Sequence, residues 1–254
     1  MIKLSQRLAC IAGKIRPGER VADVGTDHGY VPIHLYEEGI SPLVILTDIS
    51  AASLAKAKGA AGACQFGGDM QFRVGSGLSV LSAGEVDAVI IAGMGGKLIR
   101  DILSEDPELT LSFHKYVFQP RTASGALRKW LLERDFRILS EDIVEEGQFL
   151  PEIITAVSPA FSASGVDLAG GSGVDLAGVS PFDPAELPED DIRLQVPPWI
   201  LRGGGPVRSF IERRLDLERQ VAAGLAKARN VSEERIERQR ERIVYLEELL
   251  RQAE

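Results

Sequence analysis

Short apolar segments alternate with longer helical segments over the first half of the chain, and this alternation constrains the fold more than any other feature. Apolar runs bounded by turns predict strands buried on both faces, and helices between them predict a parallel sheet covered on two sides. The predicted strands are 20–24, 43–47, 71–74, 87–92 and 115–119, and the predicted helices are 4–15, 31–38, 50–61, 95–104 and 122–133. Segments 136–145 and 149–158 flank a Glu-Gly-Gln turn, which predicts an antiparallel hairpin that completes an α/β sheet of seven strands.

The segment 23–31 reads Asp-Val-Gly-Thr-Asp-His-Gly-Tyr-Val and joins the first predicted strand to the helix after it. A glycine turn lets a ligand approach the backbone, and a helix start offers free N–H donors. The carboxylate of Asp23 can accept hydrogen bonds from an ammonium or hydroxyl group, which suits S-adenosylmethionine. The dinucleotide fingerprint G-x-G-x-x-G needs glycine where the chain has Asp27 and Tyr30, and a carboxylate would repel a pyrophosphate. A strand turn that binds no cofactor is the alternative.

Further turns at the carboxyl ends of predicted strands carry glycine or polar residues, and in a parallel sheet these ends meet at one edge where ligands bind. Asp48 ends the second strand, where a carboxylate can bind ribose hydroxyls; a helix N-cap is its alternative role. Ser76 lies between two glycines after the third strand. Met94 lies in Gly-Met-Gly-Gly after the fourth, and such glycines are costly to order unless the backbone approaches a ligand.

Composition excludes several classes of protein. A net charge of −8 argues against a protein that coats nucleic acid without specificity, although residues 191–254 hold 13 Lys and Arg against 11 Asp and Glu. Cys10 and Cys64 form neither a disulfide framework nor a metal-binding spacing, and the three histidines show no zinc pattern. No apolar run is long enough to span a membrane, and the N-terminus has no secretory pattern. We expect a cytoplasmic protein with no metal ion.

The second half of the chain contains a low-complexity segment followed by two helices. Residues 164–170 recur as residues 172–178, and the surrounding segment 159–190 is predicted to be a flexible linker or insertion. From Pro206 two amphipathic helices follow, with Asn230 as the C-cap of the first and Ser232 as the N-cap of the second. The predicted apolar stripes are Phe210, Leu217, Val221, Leu225 and Ala228, then Ile236, Ile243, Leu246 and Leu250. The two helices predict a coiled-coil hairpin whose arginines either pair with acids of the hairpin or contact a partner. The predicted domains are residues 1–158, 159–190 and 191–254.

Five segments resemble those of the TrmK family, bacterial tRNA methyltransferases that modify N1 of adenosine 22. They read VADVGTDHGYVP at 21–32, IIAGMGGKLIRDIL at 90–103, FQP at 118–120, LRKWL at 127–131 and EIITA at 152–156. The resemblance implies a class I S-adenosylmethionine-dependent methyltransferase domain, which is Rossmann-like with seven strands and a closing antiparallel hairpin. A coiled-coil helical domain follows it in the family. The resemblance covers roughly residues 1–158 and resumes in the C-terminal helices.

The resemblance also assigns site residues. The expected contacts to S-adenosylmethionine are Asp23, Gly25, Thr26, Asp27, His28, Gly29, Asp48, Ile49, Ser76, Gly77, Gly93, Met94 and Gly95. Ser76 departs from the family, which has aspartate there, and a hydroxyl is a weaker acceptor for an adenine amine. Asp27 and His28 are predicted to be catalytic: N1 has a free lone pair, and Asp27 would accept a hydrogen bond from the N6 amine as the ring becomes cationic. Alternatively, both residues only shape the cofactor pocket.

N1 lies on the Watson–Crick edge of adenine, so the target must be unpaired or extruded. The candidate tRNA contacts are Lys3, Arg7, Lys14, Arg16, Lys97, Arg100 and the arginines of the C-terminal helices. We expect a monomer that takes tRNA as its substrate. Two other functions stay open, namely methylation of a small molecule and a non-catalytic cofactor-binding module.

Overall fold

A seven-stranded sheet forms the centre of the protein in the computed structural model, which describes residues 2–62, 69–162, 182–183, 186–228 and 230–253. Its strands are β1 (Val21–Val24), β2 (Val44–Asp48), β3 (Met70–Val74), β4 (Ala88–Gly95), β5 (Lys115–Thr122), β6 (Arg137–Ile143) and β7 (Glu152–Val157). Their order across the sheet is β3-β2-β1-β4-β5-β7-β6. The first five strands pair in parallel, whereas β7 pairs antiparallel with both β5 and β6. The predicted sheet and its closing hairpin are confirmed.

Helices flank the sheet and extend beyond it. Within the described ranges they are α1 (Gln6–Ala12), α2 (Tyr30–Glu37), α3 (Ala51–Ala61), α4 (Gly96–Glu105), α5 (Pro107–Leu111), α6 (Ser124–Leu132), α7 (Pro159–Ser162), α8 (Ile192–Gln195), α9 (Val207–Lys227) and α10 (Glu233–Gln252), with a 3-10 helix at Pro198–Arg202. The sequence did not predict α5, α7, α8 or the 3-10 helix, because four or five residues are too few to display helical periodicity.

Alternating side chains bury the sheet on both faces. On β4, Val89 and Ile91 pack in one cluster with apolar residues of α4 and α6. Ala88 and Ile90 point to the opposite face and pack with residues of α1, α2 and α3. Because β1 to β5 run parallel, the turns after them share the carboxyl edge of the sheet.

The long helices α9 and α10 pack against each other as the predicted hairpin. The hydroxyl of Ser232 caps α10 by accepting a hydrogen bond from the N–H of Arg235 at 3.4 Å. The predicted C-cap of α9 is wrong, because the helix ends with Ala228 in the cap position. Asn230 instead adopts a left-handed φ of 65° in the connecting turn.

The apolar stripe predicted for α9 is wrong in part. Leu217 and Val221 are 48% and 41% exposed, whereas Leu215 and Glu218 are each 3% exposed. Arg242 of α10 lies 2.7 Å from the Glu218 carboxylate. Because Arg242 on the facing helix neutralises the Glu218 carboxylate, this charged residue can occupy the helix–helix contact. A prediction based on apolar residues alone therefore selects the wrong face of α9.

The hairpin docks on the sheet through a third apolar cluster. This cluster consists of Ile143, Ile192, Val196, Ile200, Val207, Ile211, Leu215, Leu246 and Leu249. Trp199 of the 3-10 helix lies in the core of the sheet itself and donates a hydrogen bond to Glu141 at 3.0 Å. The division into 1–158, 159–190 and 191–254 stays a prediction. The tandem repeat at 164–178 and Cys64 lie outside the described residues.

Candidate active site

The turn after β1 is held against the end of β2. The backbone N–H groups of Gly25 and Thr26 both donate to the carbonyl oxygen of Thr47, at 2.8 and 2.9 Å. Gly25 and Gly29 have φ values of 77° and 67°, a region that favours glycine. A Cβ on Gly29 would lie 2.6 Å from Leu46, so this glycine also permits the close approach of α2 to the sheet.

Asp23 lies in β1 just before this turn, and its carboxylate accepts a hydrogen bond from the hydroxyl of Thr26. Burial raises the pKa of Asp23 to about 6; the charge of Asp48 acts in the same direction, and the Thr26 hydrogen bond opposes both. Because the hydrogen-bond partner is a hydroxyl and not a cation, this carboxylate keeps its capacity to bind a cationic ligand.

The Asp27 carboxylate is 58% exposed and is held by two neighbouring side chains. Nζ of Lys56, on α3, lies 2.9 Å from one carboxylate oxygen, and Nδ1 of His28 lies 2.8 Å from the other. The hydrogen bond from Lys56 is the main cause that lowers the pKa of Asp27, so the group is ionised at neutral pH. His28 also stacks on Tyr30, with ring centroids 5.2 Å apart. Sequence spacing gave no sign of the contact with Lys56.

Asp48 at the end of β2 is not the N-cap of α3. The hydroxyl of Ser50 has that role and accepts a hydrogen bond from the N–H of Ser53 at 3.3 Å. Oδ1 of Asp48 accepts a hydrogen bond from the N–H of Ser50 at 2.6 Å. Its other carboxylate oxygen has no hydrogen-bond partner in the described part of the chain. Ile49 beside it is 77% exposed, so both side chains are accessible at this edge.

The turn after β3 lies next to Asp48, because the N–H of Gly75 donates to the Asp48 carbonyl at 3.0 Å. Ser76 is exposed, and its hydroxyl forms no hydrogen bond with any described residue. Gly77 has a φ of 51°, and a Cβ there would lie 2.9 Å from Ile102. The turn therefore presents a free hydroxyl beside the carboxyl end of β2.

The end of β4 reaches across to the turn after β1. A Cβ on Gly25 would lie 1.9 Å from Cε of Met94, so the Met94 side chain packs directly over this glycine. Gly93 has a φ of 80° with open space around it, and the pairing of β4 with β5 shifts register between Ala92 and Met94. Gly95 is the N-cap of α4. The turns after β1, β2, β3 and β4 thus meet at one edge of the sheet.

A groove of about 930 Å³ lies between this edge and the C-terminal hairpin. Gly93 and Gln119 line its sheet side, and Phe210 of α9 lines the opposite side. Gln119 is only 3% exposed and accepts a hydrogen bond from Arg7 of α1 at 3.2 Å. Arg121 and Phe149 are among the groove residues that the sequence had not singled out. Neither carries a sequence signal, because each stands alone at a strand end or in a turn.

Most of the cations predicted to contact tRNA pair with acids of the protein itself. Arg7 lies 2.7 Å from Glu146, and Lys14 pairs with Asp142. The arginines of the hairpin that pair with glutamate are Arg208, Arg214, Arg219, Arg238, Arg240 and Arg242. The side chain of Arg235 has no such pair among the residues described. The charges of the hairpin are therefore largely paired within the protein.

The described residues include neither a metal-binding cluster nor a membrane-spanning helix. In that part of the chain, no group of three His, Cys, Asp or Glu side chains is placed to hold a metal ion. None of its helices combines the length and apolar character needed to cross a membrane.

Residues 4–154 match the family model described as a methyltransferase domain. With the seven-stranded sheet and its glycine-rich edge, this match makes the chain a class I methyltransferase. It is 31% identical over 172 residues to the tRNA (adenine(22)-N(1))-methyltransferase of Bacillus subtilis, across 67% of this chain and 72% of that protein. The chain belongs to the tRNA (adenine(22)-N(1))-methyltransferase family.

Solved structures share the fold over nearly the whole chain, including the hairpin. The crystal structure of the B. subtilis m1A22 tRNA methyltransferase TrmK has a TM-score of 0.80 at 23% identity, and the match covers 98% of this chain and 100% of that one. TrmK of M. capricolum, solved with the cofactor product S-adenosyl-homocysteine, has a TM-score of 0.72 at 20% identity and covers 97% of both chains.

Proposed function

We propose that this enzyme transfers a methyl group from S-adenosylmethionine to N1 of adenosine 22 in tRNA. The observation that carries the proposal is the 31% identity over 172 residues to the B. subtilis enzyme of that name. Two features of the site support it: the carboxyl edge of the sheet supplies acids and glycines for the methyl donor, and the adjoining groove can admit a nucleotide. We further propose that the protein is a cytoplasmic monomer.

The residues at the edge fit S-adenosylmethionine, which supplies an electrophilic methyl group on its sulfonium when bound. Asp48 offers a free carboxylate oxygen to ribose hydroxyls, and Asp23 offers a carboxylate to the ammonium group. Ile49 and Ser76 would contact the adenine ring and its edge. Gly25 lets the Met94 side chain pack over the turn beside the ligand, because a Cβ there would collide with Met94. Thr26, Gly29, Gly77, Gly93 and Gly95 would shape the surrounding backbone.

For the methyl acceptor, most of the acceleration comes from positioning, because N1 of adenine already has a free lone pair. The ring becomes cationic as the methyl group arrives. We assign to Asp27 the role of accepting a hydrogen bond from the N6 amine, which stabilises the developing charge. Lys56 and His28 hold the Asp27 carboxylate from both sides, and His28 would also position the base.

The test is incubation of the full chain with S-adenosylmethionine and unmodified bacterial tRNA, followed by nucleoside analysis. We expect 1-methyladenosine, and none in a control tRNA with guanosine at position 22. Intact cofactor binding without tRNA methylation would instead favour a small-molecule substrate or a non-catalytic module. In the same assay Asp27→Asn should lower turnover about tenfold with cofactor binding intact, because a neutral amide oxygen accepts a weaker hydrogen bond than a carboxylate. Full turnover would remove the catalytic role of Asp27.

Cofactor affinity is expected to depend on pH through Asp23. Its pKa of about 6 in the folded protein means that the carboxylate is protonated, and loses its charge, as the pH falls below 6. A cationic ligand binds the ionised form, so affinity should fall by up to about tenfold for each pH unit below that value and stay level above it. Calorimetric titration between pH 5 and 7.5 measures this profile. Asp23→Asn should bind more weakly at pH 7.5 and show a flat profile, whereas a profile unchanged by the substitution would contradict the assignment.

A further inference from the structure

Phe149 exposes an aromatic ring to solvent without an evident reason in the fold. It lies in the β6–β7 turn and is 65% exposed, whereas no other phenylalanine of the described residues is among the exposed apolar side chains. An exposed ring contributes little to folding, because apolar surface stabilises a protein only when it is removed from water. Packing of the fold therefore does not account for its position.

The turn that carries Phe149 is held by its own backbone hydrogen bonds and by two other parts of the chain. Phe149 and Glu146 exchange backbone hydrogen bonds of 3.0 and 3.1 Å across the turn. The Glu146 carboxylate accepts hydrogen bonds from Ser5 at 2.8 Å and from Arg7 at 2.7 Å. Arg213 of α9 donates to the carbonyl of residue 148 in the same turn. The ring is thus presented from a fixed backbone, which lowers the entropy lost when it binds a ligand.

The ring lies in the groove that begins at the active-site edge, and an unpaired cation lies in the same groove. Arg121, at the end of β5, is exposed and makes no ion pair with the described residues. β5 pairs antiparallel with β7, so the end of β5 lies beside the start of β7, three residues after Phe149. An aromatic face and a free guanidinium in one groove are the combination that binds single-stranded nucleic acid, by base stacking and phosphate contact.

Strand spacing shows which base the ring can reach. Neighbouring strands lie about 4.8 Å apart, so β7 is roughly 10 Å from β4 across β5. The methylated base must approach the edge of β1 and β4, where the cofactor contacts lie. Phe149 precedes the start of β7, which β5 separates from β4, and we therefore place it against a neighbouring nucleotide and not against the target itself.

We propose that Phe149 stacks on an unpaired base that neighbours the methylated adenosine, while Arg121 contacts the adjoining phosphate. This inference rests on the proposed function, and it makes the β6–β7 turn a specificity element for the tRNA. The stack fixes the register of the strand in the groove, so that the extruded adenosine enters at the end of β4.

The test compares tRNA methylation by the wild type with that by Phe149→Ala, Phe149→Trp and a control variant, Val244→Ala. Val244 is an exposed apolar residue of α10 that does not line the groove. Loss of one stack should raise the KM for tRNA about 5- to 150-fold in Phe149→Ala. Phe149→Trp and Val244→Ala should stay close to wild type, and the affinity for S-adenosylmethionine should be unchanged in all three.

Salt dependence separates the two contacts. Arg121→Gln should reduce the slope of log affinity against log salt concentration by about one, whereas Phe149→Ala should leave that slope unchanged. Phe149→Ala behaving like Val244→Ala would overturn the inference. A loss of cofactor affinity, a change in oligomeric mass, or a failure of tryptophan to restore the KM would also overturn it. If the wild type methylates no tRNA, the proposed function itself has failed.

Discussion

Asp48→Ala is expected to weaken the binding of S-adenosylmethionine by at least about 100-fold. A carboxylate that accepts hydrogen bonds from two ribose hydroxyls makes two charge-assisted bonds of roughly 1.5–3 kcal/mol each, and alanine makes neither. The protein should stay folded, because Ser50 remains as the N-cap of α3 and only the hydrogen bond from its N–H to Asp48 is lost. Isothermal titration calorimetry with the cofactor measures the change.

Asp106→Ala is the matched control for this experiment. Asp106 also accepts a hydrogen bond from a backbone N–H at a helix start, from Leu109 at 2.9 Å, but it lies at the N-cap of α5. Its loss should cost about 1 kcal/mol of unfolding free energy without any change in cofactor affinity. If Asp48→Ala behaves in the same way, Asp48 has a structural role only.

Arg128→Met is expected to lower the free energy of unfolding by about 3–5 kcal/mol, because it leaves two buried carboxylates without their cation. Arg128 is completely buried on α6 and lies 2.8 Å from Glu141 and 3.1 Å from Glu152. It also donates to the carbonyl oxygens of Leu194 and Gln195, at 3.0 and 3.3 Å, and so joins α6, β6 and β7 to α8. Urea unfolding followed by tryptophan fluorescence measures the loss.

Two further measurements test this interpretation. Arg134→Met removes a 45% exposed arginine just after the same helix and should cost under about 1 kcal/mol. Burial raises the pKa of Glu152 even in the wild type. A carboxyl with a raised pKa stabilises the folded state at low pH and loses this contribution as the pH rises. The Arg128 charge opposes the raised pKa of Glu152. Its removal in Arg128→Met should therefore be more destabilising at pH 8 than at pH 5. Equal losses for Arg128→Met and Arg134→Met would contradict the role of the buried cluster.

The sequence predicted the strands and most of the helices because their signals are local. The apolar runs of β1 to β5 and the glycines after them depend on short-range periodicity and on allowed backbone angles. The start of α10 at Ser232 could be predicted for the same reason, since an N-cap side chain binds the N–H three residues later. The same local signals placed Asp23, Asp48 and Met94 at one edge, because parallel strands end together.

Side chains that depend on distant partners could not be predicted. Pattern alone did not show that Arg128 is buried, and it placed Leu217 inside the hairpin where the structure buries Glu218. Burying a charge is unfavourable unless an opposite charge neutralises it, and those partners lie on other elements. Arg128, for example, meets Glu152, 24 residues further along the chain.

By itself, the sequence determined the doubly covered sheet, its closing hairpin, the glycine-rich edge and the family. Only the tertiary structure decided which charges are paired, which arginines are left free, and that Arg121 and Phe149 line one groove. Local backbone preference and apolar periodicity are properties of a short segment, and they do not depend on the rest of the fold. Charge pairing and exposure are properties of surfaces that form only when segments far apart in sequence come together.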